Sequence, residues 1–450
     1  MKKRDTFSSG LGFVLTAAGS AVGLGNIWRF PYLAAKYGGG LFLLFYILLV
    51  FTFGYTLMVT ENAIGRKTGK SALTAFGELS KKWTFLGVIA TIIPAIILPY
   101  YNVIGGWVIK YAFTFVTGAH ADAAADGFFE NMLASPEQMI LFQLIFSGAT
   151  TLVILRGVQK GVEKFSTILM PLLILLAIVV AVYSITLPGA GVGIKYLFVP
   201  DFSHFSISGI LAALGQMFYS LSLAMGIMIA YGSYLPKDSD LEKNVSRIEL
   251  FDTGIAILAG LMIIPAVFAF SGGDESALGA GPGLMFITLP KVFESMGFST
   301  VIGSVFFILV LFAALTSSIS IMEALVSSFC DKYGWSRNKT TLGVGICSFV
   351  VGLLPALGYS LLSFVKIGGM DILDTMDFIT NSVLMPITAL LTCIFIAYSI
   401  GVSVIHDEVK LSSAFKRQKL FDVMIKYVAP VFTAAILVSS VLNALGIIKL

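Results

Sequence analysis

Charge is scarce in this chain. Only 12% of its 450 residues are Asp, Glu, Lys or Arg, and 57% are hydrophobic. A soluble domain carries about a quarter of its residues charged, so no sizeable soluble domain fits here. Cysteine is nearly missing as well. Cys330, Cys347 and Cys393 match no disulfide or metal spacing, fall in or beside apolar helices, and read as small core residues. The three histidines, His120, His204 and His406, lie in expected loops and are not expected to be ligands. A Ser/His/Asp nucleophile therefore has no base at membrane depth. Gly23-Leu24-Gly25 lacks the strand, the third glycine and the acidic residue of a dinucleotide site, and there is no phosphate-loop lysine motif. No enzyme activity and no nucleic-acid partner are expected.

What the chain has is apolar length. Runs bounded by charge, Pro and Gly predict about eleven spans, each near the ~20 residues a bilayer needs, at 8–36, 41–66, 84–117, 137–156, 162–187, 205–235, 247–271, 299–330, 339–357, 372–400 and 422–448. The expected fold class is an all-α polytopic membrane protein embedded in a lipid bilayer. Most of the 29 Lys and Arg follow even-numbered spans or sit at the N-terminus, in runs such as Lys2 to Arg4, Arg66 to Lys82 and Lys410 to Lys426. Basic loops stay inside. The N-terminus is expected in the cytoplasm and the C-terminus outside, in the inner (plasma) membrane. The first span is too long and too interrupted for a cleaved signal peptide. Ala277 to Ser295, with Gly281-Pro282-Gly283 and Pro290, is moderately apolar but short, and reads as a re-entrant or surface helical loop able to act as an outer lid.

The first span should not be continuous. Gly19, Ser20, Gly23, Gly25 and Asn26 interrupt it and Arg29 follows at once. Backbone groups freed at that depth must be buried in protein or line a cavity. Gly19 and Gly23 also spell a GxxxG packing face, which needs no break. The sixth span repeats the peculiarity from Gly215 to Gly226, with Gln216, Ser220 and Ser222 at mid-membrane. Serines that back-bond to the preceding turn of an intact helix are the alternative there. Two broken helices five spans apart point to an inverted repeat around a midplane site. The halves are expected at 1–190 and, inverted, 191–405, with 406–450 a cytoplasmic loop and an eleventh helix.

Other spans offer groups suited to such a centre. Thr316 and Ser317 can present oxygens to a hard cation beside carbonyls of Gly19, Val22 and Ala313; small-residue helix packing is the other reading. Asp252 near the start of an apolar run calls for a partner, and a cation shared with Asn26, Ser220 and the Ala21 carbonyl would serve. Asp252 can equally be an N-cap at a cytoplasmic helix end, near Arg247 and Glu249. Tyr101 brings a phenol able to meet a carboxylate. Arg29 with Asp377 outside, and Arg4 with Asp331 inside, are candidate switchable pairs.

At Gly19 to Pro31, Tyr37 to Gly40, Arg156 to Phe165, Gly215 to Gly226, Gly283 to Pro290, Leu315 to Ile319 and Met376 to Phe378 the chain resembles the neurotransmitter:sodium symporter family, and is similar to its bacterial leucine transporters. The likeness is collinear over nearly the whole chain. It implies two sodium sites: Ala21, Asn26, Ser220 and Asp252 at the first, Gly19, Val22, Ala313, Thr316 and Ser317 at the second. It implies an amino acid whose carboxylate meets the Leu24 and Gly25 amides and the Tyr101 hydroxyl, with its amino group on carbonyls of Ala21, Tyr219 and Ser222. Ile97, Tyr219, Met225, Ser317 and Ile321 would form the side-chain pocket, with Ser20, Gly23 and Ser220 also at the substrate. Arg29, Asp377 and a Tyr101/Tyr219 lid would be the outer gate; Arg4, Phe7, Tyr234 and Asp331 the inner.

The departures bear on specificity. Ser20 and Asp252 stand where the leucine transporters carry asparagine, and Ala224 where they carry glycine. A fixed negative charge at Asp252 implies transport with no chloride requirement. Without another charge at the centre, the pocket suits a neutral, aliphatic or modestly hydrophobic L-amino acid. The expected function is sodium-coupled symport of that amino acid into the cell by alternating access. An amino-acid-binding receptor without transport, or proton coupling, are the alternatives.

Overall fold

Every expected span folds as helix, and two of them break. The computed structural model describes residues 6–274, 277 and 281–444. In chain order the spans are α1 (Gly10–Ala21) and α2 (Gly25–Lys36), α3 (Gly40–Thr68), α4 (Lys81–Val116), α5 (Pro136–Leu155), α6 (Val158–Ile185), α7 (Ile207–Ser220) and α8 (Ile227–Gly232), α9 (Leu241–Ser271), α10 (Ser299–Tyr333), α11 (Arg337–Leu357), α12 (Ile372–Ile400) and α13 (Gln418–Leu442). Among the described residues nine helices are individually long and apolar enough to cross a membrane, and α1 with α2, bent by 52°, makes a tenth. The shorter α7, continued by α8 beyond residues 221–226, accounts for the eleventh expected span.

Local chemistry explains both breaks. Ser9 caps α1 by accepting from the Gly12 amide. Helical geometry stops at Val22, and the next amide, that of Gly23, donates to Asn26 Oδ1 at 3.1 Å. After α7 the chain turns left-handed at Ser222 (φ 53°), Ala224 (φ 61°) and Gly226 (φ 75°). For residues with a Cβ that conformation costs about 1–2 kcal/mol each, and specific bonds hold it. Ser222 Oγ donates to the Ser20 carbonyl at 3.0 Å, and the Ala224 amide donates to Glu61 Oε1 at 2.6 Å. Neither Ser220 nor Ser222 bonds back to its preceding turn, so the intact-helix reading falls.

The bundle is layered around the breaks. The most apolar stretch of α10 is 78% buried against 22% for α13, which puts α10 at the centre and α13 at the lipid edge. Glycines set the closest approaches: a Cβ on Gly65 would lie 2.0 Å from the Ile229 carbonyl oxygen, so α3 and α8 touch backbone to backbone. Gly19 also packs closely, since a Cβ there would meet Thr316 Cβ at 3.3 Å. The small residues of the first span thus serve packing and break together.

Two expectations change. Only Cys393 is a core residue; Cys330 is half-buried and Cys347 exposed, because α11 turns that face outward. His406 sits in a helix, Ser403–Lys410, where its Nε2 meets Asp422 at 2.7 Å, and His120 begins the short helix His120–Ala124. Of the expected lid, 275–276 and 278–280 lie outside the described residues; Leu284–Ser295 is helical. Its Phe286 carbonyl accepts from Tyr111 at 2.7 Å and its ring stacks on Phe129. Lys291 on that segment pairs with Asp126, and the bond holds the Asp126 carboxyl below its usual range.

Candidate functional site

Asp252 lies in the fourth turn of α9, fully buried; the N-cap of that helix is Asp240. The N-cap reading of Asp252 is thereby replaced. Its Oδ1 accepts from Asn26 Nδ2 at 2.8 Å and from Ser220 Oγ at 2.5 Å, and its Oδ2 accepts from the Tyr46 hydroxyl at 2.6 Å. One break supplies Asn26, the end of α7 supplies Ser220, and α3 supplies Tyr46. A buried carboxylate is costly without partners, and here every described partner is a neutral oxygen- or nitrogen-bearing group. The set holds one negative charge and several hydroxyl, amide and carbonyl oxygens, the donor chemistry of a hard monovalent cation. Ala21, assigned to the same set, is buried at the end of α1.

The second cluster joins α1 to α10. Ser317 Oγ lies 3.5 Å from the Gly19 carbonyl oxygen and 3.2 Å from that of Ser20. Thr316 Oγ1 donates to the Phe312 and Ala313 carbonyls at 3.0 and 3.1 Å. Val22 and Ala313 are fully buried beside them. These uncharged oxygens also fit a hard cation, once the hydroxyl protons turn away from their own helix.

Between the clusters lies a small cavity with about 30 Å³ of free space, room for a water molecule or two. Ser20, Ala21, Gly23, Leu24 and Gly25 line it from the first break; Tyr219, Ser220, Ser222 and Met225 from the second; Ile97 and Tyr101 from α4; Ser317 and Ile321 from α10. All thirteen sequence-assigned substrate residues therefore share one cavity. The Tyr101 hydroxyl is buried there, with Ser317 and the Leu24 backbone as its polar neighbours. It faces the first turn of α2, whose leading amides have no acceptor within a helix. Glycine is required at two lining positions: a Cβ on Gly23 would lie 2.6 Å from Ser317 Oγ, and one on Gly25 2.6 Å from the Tyr219 ring.

The gate residues divide. Arg29 and Asp377 form no ion pair within 4 Å in this conformation; the Arg29 guanidinium sits over the Tyr219 ring at 5.3 Å, and Asp377 accepts from Tyr100 at 3.1 Å and Asn381 at 2.5 Å. Among the residues expected at the inner gate, Phe7 packs edge-on to Tyr231 and Tyr234, and its amide donates to the Tyr234 carbonyl at 3.1 Å. The Tyr234 hydroxyl donates to Glu323, which Arg337 also holds. Asp331 accepts from the Ser71 amide at 2.8 Å. Arg4 lies outside the described residues.

Three residues at the centre carry no sequence assignment. Tyr46 completes the Asp252 cluster, Glu61 holds the second break, and Gln216 donates to the Gly25 carbonyl at 2.8 Å. The available signal was a phenol and a carboxyl inside the second span, polar groups that lipid does not tolerate without partners.

Paired half-helices meeting at mid-bundle around buried oxygen clusters define a membrane transporter of small cargo. The chain belongs to the sodium:neurotransmitter symporter family, whose model matches residues 4–132 and 131–447. It is 37% identical to an uncharacterised sodium-dependent transporter of Bacillus subtilis, YhdH, over all of this chain and 99% of that one. It is 26% identical to the human sodium- and chloride-dependent GABA transporter 2, over 91% of this chain and 75% of the relative. The crystal structure of MhsT in complex with L-phenylalanine superposes with a TM-score of 0.88 at 38% identity, covering 97% of this chain and 100% of MhsT. This protein is accordingly a multi-pass, sodium-dependent membrane transporter and not an enzyme.

Proposed function

We propose that this transporter carries a neutral, hydrophobic L-amino acid into the cell together with sodium, by alternating access. The observation that carries the reading is the buried Tyr101 hydroxyl, which faces the Leu24 backbone and shares a cavity with Leu24 and Gly25 at the first break. A carboxylate accepting from that hydroxyl and from the free first-turn amides would satisfy all three donors. Sodium on Ala21, Asn26, Ser220 and Asp252 would neutralise the Asp252 charge and lie against the same carboxylate. A second sodium on Gly19, Val22, Ala313, Thr316 and Ser317 would tie the broken helix to α10. The amino group would take the carbonyls freed at Ala21, Tyr219 and Ser222.

Substrate size follows from what must move. With about 30 Å³ free, an amino acid enters only as Tyr219 and Met225 shift, and methionine repacks readily. The L-phenylalanine held by MhsT supports extending the range from aliphatic to aromatic side chains. Asp252 supplies the negative charge that would otherwise come from chloride, so transport needs none. Arg29 and Asp377 close the outer path in another state of the cycle, while Phe7 and Tyr234, with Arg4 and Asp331, close the inner one. The halves that move are 1–190 and 191–405, with 406–450 appended. The basic loops support a cytoplasmic N-terminus and an exterior C-terminus in the plasma membrane.

The test is uptake of labelled neutral amino acids into proteoliposomes under an inward sodium gradient, against an equal potassium control. Sodium-dependent accumulation is expected. Saturable binding without accumulation, or accumulation indifferent to sodium, refutes the reading.

A further inference from the structure

A large concavity lies away from the transport path. It is a groove of about 730 Å³ on the outer surface of the bundle, between α4, α10 and α11. Its wall is apolar: Ala95 and Pro99 from α4, Leu325 and Phe329 from α10, Val344 and Val351 from α11. Gly343 leaves the wall open, since a Cβ added there meets nothing within 4 Å. Its size is that of pockets that enclose small organic ligands.

The mouth differs from the wall. Lys339, one turn before Gly343 on α11, is the sole charged residue lining the groove, and it is exposed. No ion pair is made by Lys339 among the described residues, while the nearby carboxylates are engaged: Glu323 by Arg337 and Tyr234, Asp331 by Ser71. Trp335, 57% exposed, stacks on Tyr333 at 5.0 Å beside Lys339. An aromatic pair next to an uncompensated cation is the composition of a membrane–water interface. Apolar depth ending in one positive charge matches one chemistry.

We propose that this groove binds an anionic phospholipid, with an acyl chain along the α4, α10 and α11 wall and the phosphate at Lys339. The inference rests on the chain spanning a bilayer and not on the identity of the cargo. A bound lipid would lie against the half of α10 that carries Glu323 and, through Tyr234, the inner gate.

Trp335 reports occupancy directly. The full chain is placed in phosphatidylcholine nanodiscs with a minor fraction of phosphatidylglycerol, either lipid being brominated at mid-acyl chain, and the Trp335 signal is taken as the difference from Trp335→Phe. Brominated phosphatidylglycerol is expected to quench Trp335 about fivefold more effectively per mole than brominated phosphatidylcholine, the preference one lysine confers at an anionic surface. Lys339→Gln should abolish that preference, and Gly343→Leu, which fills open space, should reduce quenching by both lipids. Equal quenching by the two lipids overturns the proposal, as does a preference that survives Lys339→Gln. Absence of quenching with Cys347 cross-linking between copies would assign the groove to a second copy and also overturn it. Quenching of the part-exposed Trp83 by brominated phosphatidylcholine shows separately that the chain is in the bilayer, and sodium-driven uptake is scored independently.

Discussion

The Tyr46 hydroxyl donates to Asp252 Oδ2 at 2.6 Å across the centre of the bundle, while its oxygen stands 3.0 Å from Ser220 Oγ. A tyrosine from α3 thus orients two of the oxygens that the first sodium would use. Tyr46→Phe keeps the ring and removes the bond. A buried charged group deprived of one partner loses about 1–3 kcal/mol, so the apparent sodium affinity of substrate binding should fall roughly tenfold. A sodium titration unchanged by the substitution would remove Tyr46 from the site.

Asp252→Asn tests the charge itself. The wild-type protein should take up amino acid equally well when chloride is replaced by gluconate. In the variant, uptake should become dependent on chloride or fail. If the wild type needs chloride, the substitute-charge argument is wrong.

Thr316→Ala separates folding from function. The Thr316 hydroxyl bonds only carbonyls of its own helix, so its loss, with that of one buried methyl, should cost about 1 kcal/mol of stability without sodium. Any ligand that binds the native state raises its melting temperature. Added sodium should stabilise the wild type and do so much less in the variant, read by thermal denaturation at several sodium concentrations. Equal sodium-induced shifts would count against the second site.

Arg337 and Glu323 offer a stability test. Glu323 is fully buried and bonded by both Arg337 and Tyr234. Arg337→Met strands that carboxylate, at a cost of about 3–5 kcal/mol. Replacing both partners, Glu323→Leu with Arg337→Met, should recover most of the loss, because two apolar groups need no pairing. A double variant as unstable as the single one would show that the pair organises more than its own charges.

Span number and the two breaks were legible along the chain because each is local. A bilayer asks for about 20 apolar residues, and Gly19 to Asn26 or Gly215 to Gly226 disrupt a helix wherever they stand. The resemblance named the cavity lining, and the structure gathers all thirteen of those residues around one space. Reading failed where a residue's meaning depends on a distant partner. Asp252 looked equally like a helix cap until α9 proved to begin at Leu241, three turns earlier. Cys347 looked like core until α11 proved to sit at the lipid edge, where half its residues face outward.

The sequence by itself determined a membrane-spanning, helical transporter with two interrupted spans, since hydropathy and helix-breaking are properties of neighbouring residues. Tertiary structure decided which polar groups share a site. Tyr46, Glu61 and Gln216 bond residues 163 to 206 positions away, and no local pattern encodes such a pairing. Burial makes those bonds count: away from bulk water, a polar group depends on the partner that packing brings to it.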